Sequence, residues 1–187
     1  MRKSIWVLAV VVLLATVAPL RAGPILVGDP LWNEFSFVRV GEPARGCTPD
    51  DPLGLGCVGS SGGNSQFADA PPWTFAAAAP VYFRITDAFA YGDAFNVFDF
   101  GLLVGATPAV AAGGSGSSDP AVALLDPLFS HAAFTLGAGN HSITIIPYEM
   151  VSSGAGYFRV DPVPEPATLL LLGTGLAGLA RRLRRRR

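Results

Sequence analysis

The sequence predicts an all-β fold class, a single antiparallel β-sandwich that lies between two hydrophobic ends. Three observations carry this prediction. Short runs rich in aromatic and β-branched residues recur through the middle of the chain, glycine, proline, asparagine or aspartate separates most of them, and no long helical periodicity intervenes. Short strands at such spacing with turn residues between them are typical of a sandwich. The predicted strands are residues 33–40, 72–75, 81–86, 94–100, 132–136, 141–146 and 156–160.

Two local features complete the predicted sandwich. Tyr91, Gly92 and Asp93 lie between two predicted strands and are predicted to form a hairpin turn, in which Gly92 supplies a positive φ. Asp119-Pro120 precedes residues 121–125, where we expect one or two helical turns with Asp119 as the N-cap.

The N-terminus predicts export. Arg2 and Lys3 precede an apolar run over residues 5–14, which is the pattern of a secretory signal peptide. We expect a signal peptide over residues 1–22 with cleavage after Ala22, and an uncleaved N-terminal anchor is the alternative. Either way this segment is excluded from the folded domain.

The C-terminus combines three elements in order. Pro164-Glu165-Pro166 is followed by an apolar run over residues 167–180 and then by six arginines. Residues 163–180 make a marginal transmembrane helix, since a full span needs about 20 apolar residues. The arginine cluster is expected to stay cytoplasmic. Proline keeps the preceding backbone extended, so the tripeptide is accessible for recognition by another protein. A plain membrane anchor is the alternative interpretation.

This tail resembles the PEP-CTERM sorting signal. The resemblance implies that Pro164, Glu165 and Pro166 form the recognition triplet. It also implies that an exosortase, a membrane protease-transpeptidase, processes the chain, and that the host is a Gram-negative bacterium that makes exopolysaccharide. The expected organisation is a signal peptide (1–22), a β-sandwich ectodomain (23–162) and a sorting signal with transmembrane helix and basic tail (163–187). The protein would be anchored in the inner membrane in transit and would then reach the cell surface or extracellular matrix.

A second resemblance concerns the middle of the chain. Residues 83–104 contain a Thr-Asp pair, a Gly-Asp turn and a strand ending in Asp99, and residues 136–145 contain the sequence Gly-Asn-His-Ser-Ile-Thr. Together they are similar to exported β-sandwich domains of unassigned role. The resemblance implies a jelly-roll-like sandwich and no particular activity.

Charge narrows the possible partners. Residues 23–163 contain four arginines, no lysine and 13 acidic residues, which gives a formal charge of −9. Nucleic acids and anionic membranes attract positively charged surfaces. The ectodomain is therefore not expected to bind nucleic acid or an anionic membrane.

Cys47 and Cys57 are the two cysteines of the chain. An even cysteine count in an exported protein predicts a disulfide. The intervening loop is rich in Pro, Gly and Asp, and closing it is expected to contribute about 2–3 kcal/mol. A metal or redox pair is the alternative, and it lacks the two-residue spacing and a nearby histidine.

Apparent catalytic motifs do not indicate an enzyme. Residues 54–59 match the dinucleotide glycine pattern and residues 59–63 match a nucleophile elbow, but neither follows a strand or opens a helix. His131 and His141 are the two histidines, and no strong nucleophile candidate accompanies them. We expect both to be structural.

The acidic residues leave one site to consider. Asp87, Asp93 and Asp99 lie around the predicted hairpin, and oxygen ligands on loops suit Ca²⁺. Turn and capping roles explain isolated aspartates equally well. A weak calcium site at these three residues is therefore the metal prediction, and no other cofactor is expected.

Three function classes follow. The first is a non-enzymatic structural protein of the cell surface or the exopolysaccharide. The second is a carbohydrate- or calcium-binding module, which exposed Trp32 or Trp73 would favour because sugars stack on aromatic faces. The third and most remote is a hydrolase, which would require a pocket that joins His131 or His141 to acidic residues.

Overall fold

The structure, a computed structural model, describes residues 23–164. The predicted signal peptide, Glu165, Pro166 and the predicted membrane helix lie outside the described residues. Within residues 23–164 no helix has both the length and the apolar character needed to cross a membrane.

The regular secondary structure of the described chain is mostly β, as predicted. One short helix, α1, spans Pro120–Ala123, and the Asp119 carboxylate caps it by accepting a hydrogen bond from the Ala121 amide at 2.9 Å. The strands are β1 (Trp32–Phe37), β2 (Cys47–Thr48), β3 (Leu55–Gly56), β4 (Ser65–Phe67), β5 (Trp73–Ala77), β6 (Val81–Asp87), β7 (Ala94–Asp99), β8 (Leu102–Ala106), β9 (His131–Leu136), β10 (Gly139–Glu149) and β11 (Gly154–Pro162).

Two larger sheets enclose one hydrophobic core. The first has the strand order β4-β1-β11-β6-β9 and the second has β5-β10-β7-β8, while β2 and β3 form a small separate sheet. Side chains from both larger sheets meet in the core, where Phe35 contacts Trp73 of the facing sheet at a ring-centroid distance of 6.0 Å. Alternate residues of β5 and β10 point into this core, which is the pattern that the sequence shows.

All seven predicted strands exist, and four further strands were missed. The missed strands β2, β3 and β4 have two or three residues each, which is too few for an alternation of apolar and polar residues to show. β8 was missed because it begins with two consecutive leucines, both exposed, instead of alternating apolar and polar residues. The pairing is also not purely antiparallel, because β4 pairs with β1 and β3 with β2 in parallel.

The prediction of a hairpin at Tyr91-Gly92-Asp93 is wrong. β6 lies in the first sheet and β7 in the second, so the segment between them crosses from one sheet to the other. Gly92 does have a positive φ, 123°. A side chain there would collide with Ala112 and Val151, and this crowding, rather than a two-residue turn, requires glycine.

The strand directions define two ends of the domain. At one end, which we call the C-terminal end, lie the β5–β6 turn (78–80), the β7–β8 turn (100–101), the β9–β10 turn (137–138) and the chain exit at Val163. The register places the β5–β6 turn, the β9–β10 turn and the exit together, because Val81 pairs with both Pro162 and Leu136, and Gly139 pairs with Ala77. The β7–β8 turn lies in the same half of the domain, since Asp99 pairs with Ile143, four residues after Gly139. The β6–β7 crossing and the β10–β11 turn lie at the opposite end, roughly 30 Å away along β11 at about 3.3 Å per residue.

Candidate functional site

A cavity of about 290 Å³ lies at the end of the domain opposite to the chain exit. Three loops surround it: the disulfide loop at residues 55–58, the β6–β7 crossing at residues 88–93, and the β10–β11 turn at residues 152–155. Glu34 of β1 and Asp93 contribute carboxylates, and the lining contains no basic residue. The volume is at the small end of ligand pockets, which range over roughly 300–1,000 Å³.

Glu34 is the most unusual group in this cavity. Its side chain is fully buried, and neither carboxylate oxygen has a hydrogen-bond partner within the described residues. Burial raises the pKa of Glu34 to about 7, although the backbone N–H groups of Gly59 and Val58 lie near enough to favour the charged form. A buried polar group without a partner costs free energy. The carboxyl therefore favours a hydrogen-bond donor or a cation entering the cavity.

Asp87 and Asp93 lie side by side next to Glu34's cavity. The Asp93 backbone amide donates to Asp87 Oδ2 at 3.2 Å, and the Ala88 amide donates to Asp87 Oδ1 at 2.7 Å. Asp93 Oδ1 accepts from the Val151 amide at 2.6 Å. Burial, and then the charge of Asp93, raise the pKa of Asp87 to about 8, and burial raises the pKa of Asp93 as well. Among residues 23–164, no arginine forms an ion pair with either residue.

Asp99 does not join this pair. It ends β7 near the C-terminal end, where its carboxylate lies 2.7 Å from His141 Nδ1 and accepts from the Ser142 amide at 2.9 Å. Since β7 runs from Ala94 to Asp99, a span of roughly 20 Å separates Asp99 from Asp93. The predicted three-aspartate set is therefore two separate groups, because the extended strand β7 carries Asp99 away from Asp93.

The backbone at Phe89 is strained where it lines the cavity. Its φ is 70°, a left-handed conformation that is rare for a bulky residue. Such outliers persist where the surroundings hold them, and they are enriched at functional sites. The Phe89 ring stacks on Tyr157 at a centroid distance of 6.1 Å. This contact fixes the wall of the cavity beside Glu34.

The predicted disulfide joins Cys47 and Cys57, whose Cα atoms lie 5.6 Å apart. Both sulfurs and a Glu34 carboxylate oxygen lie within 4.8 Å of one another. Because the sulfurs are bonded to each other, they do not offer thiolates to a metal ion. Gly54 brings the loop close to its own base, since a side chain there would collide with the Gly46 carbonyl. The bridge thus holds the loop over Glu34.

Both histidines make structural contacts. His141 stacks on Phe75, and its second ring nitrogen lies 3.0 Å from the Gly137 carbonyl. His131 Nδ1 lies 2.9 Å from the Phe129 carbonyl. Neither histidine lines the Glu34 cavity. The structure therefore does not bring a histidine and the acidic pair together.

Trp32 and Trp73 are both buried. Trp73 lies in the shared core and donates from its indole nitrogen to the Asp69 carbonyl at 2.9 Å. Trp32 lies on the outer face of the first sheet, where the guanidinium of Arg159 covers its ring at 4.6 Å. Neither ring offers an open face for stacking of a sugar.

Comparison with known proteins identifies the C-terminus. Residues 162–186 match the family model of the PEP-CTERM protein-sorting motif. The chain therefore carries this motif, which implies an exported protein that an exosortase sorts to the cell surface. The match begins at the last residue of β11. No curated protein and no solved structure matches the chain.

Sequence reasoning missed Glu34. The residue stands in the run Trp-Asn-Glu-Phe-Ser-Phe, where alternation assigns it to the polar side of β1. The polar side of a strand normally faces water, but here the disulfide loop covers it. An acidic residue within an otherwise aromatic strand was the available signal.

Proposed function

We propose that this protein is an exported structural component of the cell surface or of an exopolysaccharide matrix, with no enzymatic role. Residues 23–162 would form a jelly-roll-like sandwich that is displayed by the sorting motif. Two sheets of five and four strands around one core support this assignment of the fold. An exosortase would be the processing partner, and exopolysaccharide the surrounding material.

The observation that carries the proposal is the direct continuity of the domain with the motif. β11 lies in the interior of the five-stranded sheet between β1 and β6, and its last residue, Pro162, is the first residue of the motif. No flexible linker separates them. Such a join suits a body that is presented at a surface, because only a few residues separate the folded domain from the predicted anchor.

The uses of the aromatic and titratable side chains also support a structural role. Trp32 and Trp73 are packed, and His141 and Asp99 hydrogen-bond to each other. The four arginines of the domain all pair with carboxylates, and the pairs are Arg39–Glu42, Arg45–Asp51, Arg84–Asp161 and Arg159–Asp161. These side chains stabilise the fold and leave the surface acidic.

One observation favours a second candidate, a module that binds a small cationic ligand. Glu34 is buried, unpartnered and part of the cavity lining, and Asp93 adds a second carboxylate. Ca²⁺ is one candidate ligand, with Asp87 beside the site. A compact organic ammonium is the other, because apolar side chains such as Leu55 and Phe89 form most of the remaining wall.

A genetic comparison separates the two candidates. Cells would produce the wild-type chain, a chain that lacks residues 23–161 but keeps both targeting ends, or full-length chains with Glu34→Gln or Asp93→Asn. Cohesion of the cell-surface matrix is then measured. A structural role predicts that the deletion weakens the matrix and that the two point variants behave as the wild type.

Two outcomes would redirect the interpretation. If both point variants reproduce the deletion, ligand binding in the cavity is the function. If the deletion leaves the matrix unchanged, the structural proposal fails. Surface display of every chain is checked by antibody labelling, so that loss of export is not mistaken for loss of function.

A further inference from the structure

We infer that the β7–β8 turn, with Phe100, Leu102 and Leu103, contacts the outer surface of the lipid bilayer in which the C-terminal apolar segment is anchored. The inference rests on the proposed display of the domain by its tail. It adds an interaction surface and fixes which end of the domain faces the membrane.

The first argument is exposure. The side chains of Phe100, Leu102 and Leu103 are 65%, 76% and 60% exposed, and they are nearly consecutive in the sequence. Single exposed apolar residues need no explanation, but a group of large ones marks an interaction surface. No described residue covers them.

The second argument is backbone conformation. Phe100 and Gly101 form a two-residue hairpin loop in which both φ angles are positive, at 47° and 79°. Such a turn favours Asn-Gly, and a bulky aromatic residue is disfavoured there. Phe100 is thus held in an unfavourable conformation while its ring is exposed to solvent. Neither folding nor solubility explains this choice of residue.

The third argument is position. Asp99 pairs with Ile143, the fifth of the eleven residues of β10, and the Phe100 amide donates to the Ser142 carbonyl at 3.0 Å. This register places the turn in the half of the domain from which Val163 leaves. The apolar run of the tail begins at Ala167, only a few residues after the last strand. The bilayer surface therefore lies within reach of the turn whenever the tail is inserted.

The fourth argument is charge. The three turns at this end and the exit at residues 163–164 contain no ionisable residue. Asp29 is the acidic residue of the neighbouring N-terminal segment, in which the Gly28 amide donates to the Val160 carbonyl at 2.8 Å. Asp99 directly precedes the turn, but its carboxylate is engaged by His141 and by the Ser142 amide. The acidic surplus that opposes adsorption of the domain as a whole is thus reduced at the face that meets the lipid.

Aromatic and aliphatic side chains at a membrane surface insert into the boundary between headgroups and acyl chains. A two-residue hairpin can present three of them without disturbing the sheets. The contact would fix the tilt of the domain relative to the membrane, and the Glu34 cavity would then open away from the bilayer.

Depth-dependent quenching of tryptophan fluorescence tests the inference. The full chain is reconstituted into vesicles of phosphatidylethanolamine and phosphatidylglycerol, with or without bromine on the acyl chains. Leu102→Trp is compared with Leu125→Trp, whose leucine is 83% exposed and follows α1 on the far side of the domain. The native tryptophans contribute equally to both variants, so the difference between them isolates the new residue.

We expect brominated lipid to cause an additional loss of emission from Leu102→Trp that Leu125→Trp does not show. Flotation of the vesicles reports separately whether the tail is anchored. If the chain floats with the vesicles and the two variants are quenched equally, the hairpin contact is wrong while display by the tail stands. If the chain does not float, both fail.

Two further results would also overturn the inference. A change in Leu102→Trp emission that depends on protein concentration and not on bromine would indicate contact between two copies of the chain. If near-ultraviolet circular dichroism shows that Leu102→Trp disturbs the fold, Leu103→Trp takes its place, and equal quenching of that variant and Leu125→Trp again contradicts the contact.

Discussion

Glu34 of β1 and Tyr157 of β11 lie directly opposite each other on neighbouring strands, and the polar ends of both side chains are buried without a hydrogen-bond partner among the described residues. Burial raises the pKa of both, and the charge of Glu34 raises the pKa of Tyr157 further. Opposed side chains on one face of a sheet interact most strongly. Burial therefore favours a protonated Glu34 in the folded state.

The first prediction concerns the pH dependence of stability. In the folded state the pKa of Glu34 is about 7 and that of Asp87 about 8, both above their ordinary values of 4.5 and 3.8. The stabilisation of the folded state that comes from these raised pKa values is fully present below about pH 4. It is lost as the pH rises through 7 to 8. Glu34→Gln keeps a neutral group at all pH values, so the fall in melting temperature between pH 5 and pH 9 should be smaller than in the wild type. At about 1.4 kcal/mol per pKa unit, the difference is on the order of 1–3 kcal/mol.

Glu42→Gln is the matched control, because Glu42 is exposed and pairs with Arg39 at the surface. Its melting curves should follow those of the wild type at every pH. If the melting temperature falls equally with pH in Glu34→Gln and in the wild type, Glu34 is not held in its protonated form.

The second prediction concerns calcium. A cation that binds Asp87 and Asp93 must displace protons from them, so binding should be stronger at pH 8 than at pH 6. At 100 times Kd, an ion that binds the folded state alone stabilises it by about 2.7 kcal/mol. We expect millimolar Ca²⁺ to raise the melting temperature by several degrees and chelator to reverse the rise. The double variant Asp87→Asn, Asp93→Asn should abolish it.

Asp99→Asn provides the control for the calcium prediction. Asp99 bonds to His141 at the other end of β7, so its loss should leave the calcium-dependent rise intact even if the baseline stability falls. If the melting curves of the wild type with Ca²⁺ and with chelator superimpose, Asp87 and Asp93 do not bind calcium. They then serve only as hydrogen-bond acceptors for backbone amides.

The strands that fill the core were predictable because they alternate over five or more residues. β10 and β11 show this pattern clearly, and Asp119 before Pro120 correctly indicated the start of α1. The disulfide followed from the cysteine count. These features depend on local sequence alone.

The site was less predictable because it depends on which sheet each strand joins. Asp87 and Asp93 are close together whether residues 88–93 form a hairpin or a crossing. Asp99 is far from them in both cases, because the extended strand β7 lies between Asp93 and Asp99. Glu34 is buried by the disulfide loop, and no pattern within β1 shows that a distant loop covers it. The alternation of apolar and polar residues along one strand does not predict long-range packing of this kind.

The third prediction concerns the disulfide. Cys47 and Cys57 close a loop with a sequence separation of 10, which should contribute about 2–3 kcal/mol. The double variant Cys47→Ala, Cys57→Ala should therefore melt several degrees lower. It should also have a flatter pH dependence, because the loop that buries Glu34 would be less firmly held.

Chemical reduction of the wild type gives a check that does not alter the packing of side chains. After thiol labelling confirms that the bridge is open, the reduced protein should resemble the double variant in both melting temperature and pH dependence. An unchanged melting curve would mean that the loop keeps its position without the bridge.

The fourth prediction concerns the two phenylalanines with positive φ. Phe100→Asn places a residue that tolerates this conformation in an exposed turn, so it should leave stability unchanged or raise it by about 1 kcal/mol. Phe89→Asn should instead destabilise, because it removes the ring that stacks on Tyr157 beside the cavity. Denaturant unfolding of the two variants measures the difference, and a large loss of stability from Phe100→Asn would show that its ring is needed for folding.

The last prediction concerns sorting. Within the motif Pro164-Glu165-Pro166, Glu165 is the ionisable residue, and it precedes the apolar run that begins at Ala167. A membrane enzyme that recognises this triplet gains specificity from a charge at the outer bilayer surface, because Glu165 is the ionisable residue nearest the outer end of the apolar run and the arginines lie at its other end. Glu165→Ala should therefore leave export and folding intact while the unprocessed chain accumulates in the membrane fraction, as measured by immunoblots of cell fractions.

Glu149→Ala is the control, because Glu149 ends β10 at the opposite end of the domain and should have no effect on processing. Since β11 runs into the motif without a linker, the enzyme must act close to the folded domain. Normal processing of Glu165→Ala would then mean that the enzyme recognises the prolines and the apolar run, and that the carboxylate is dispensable.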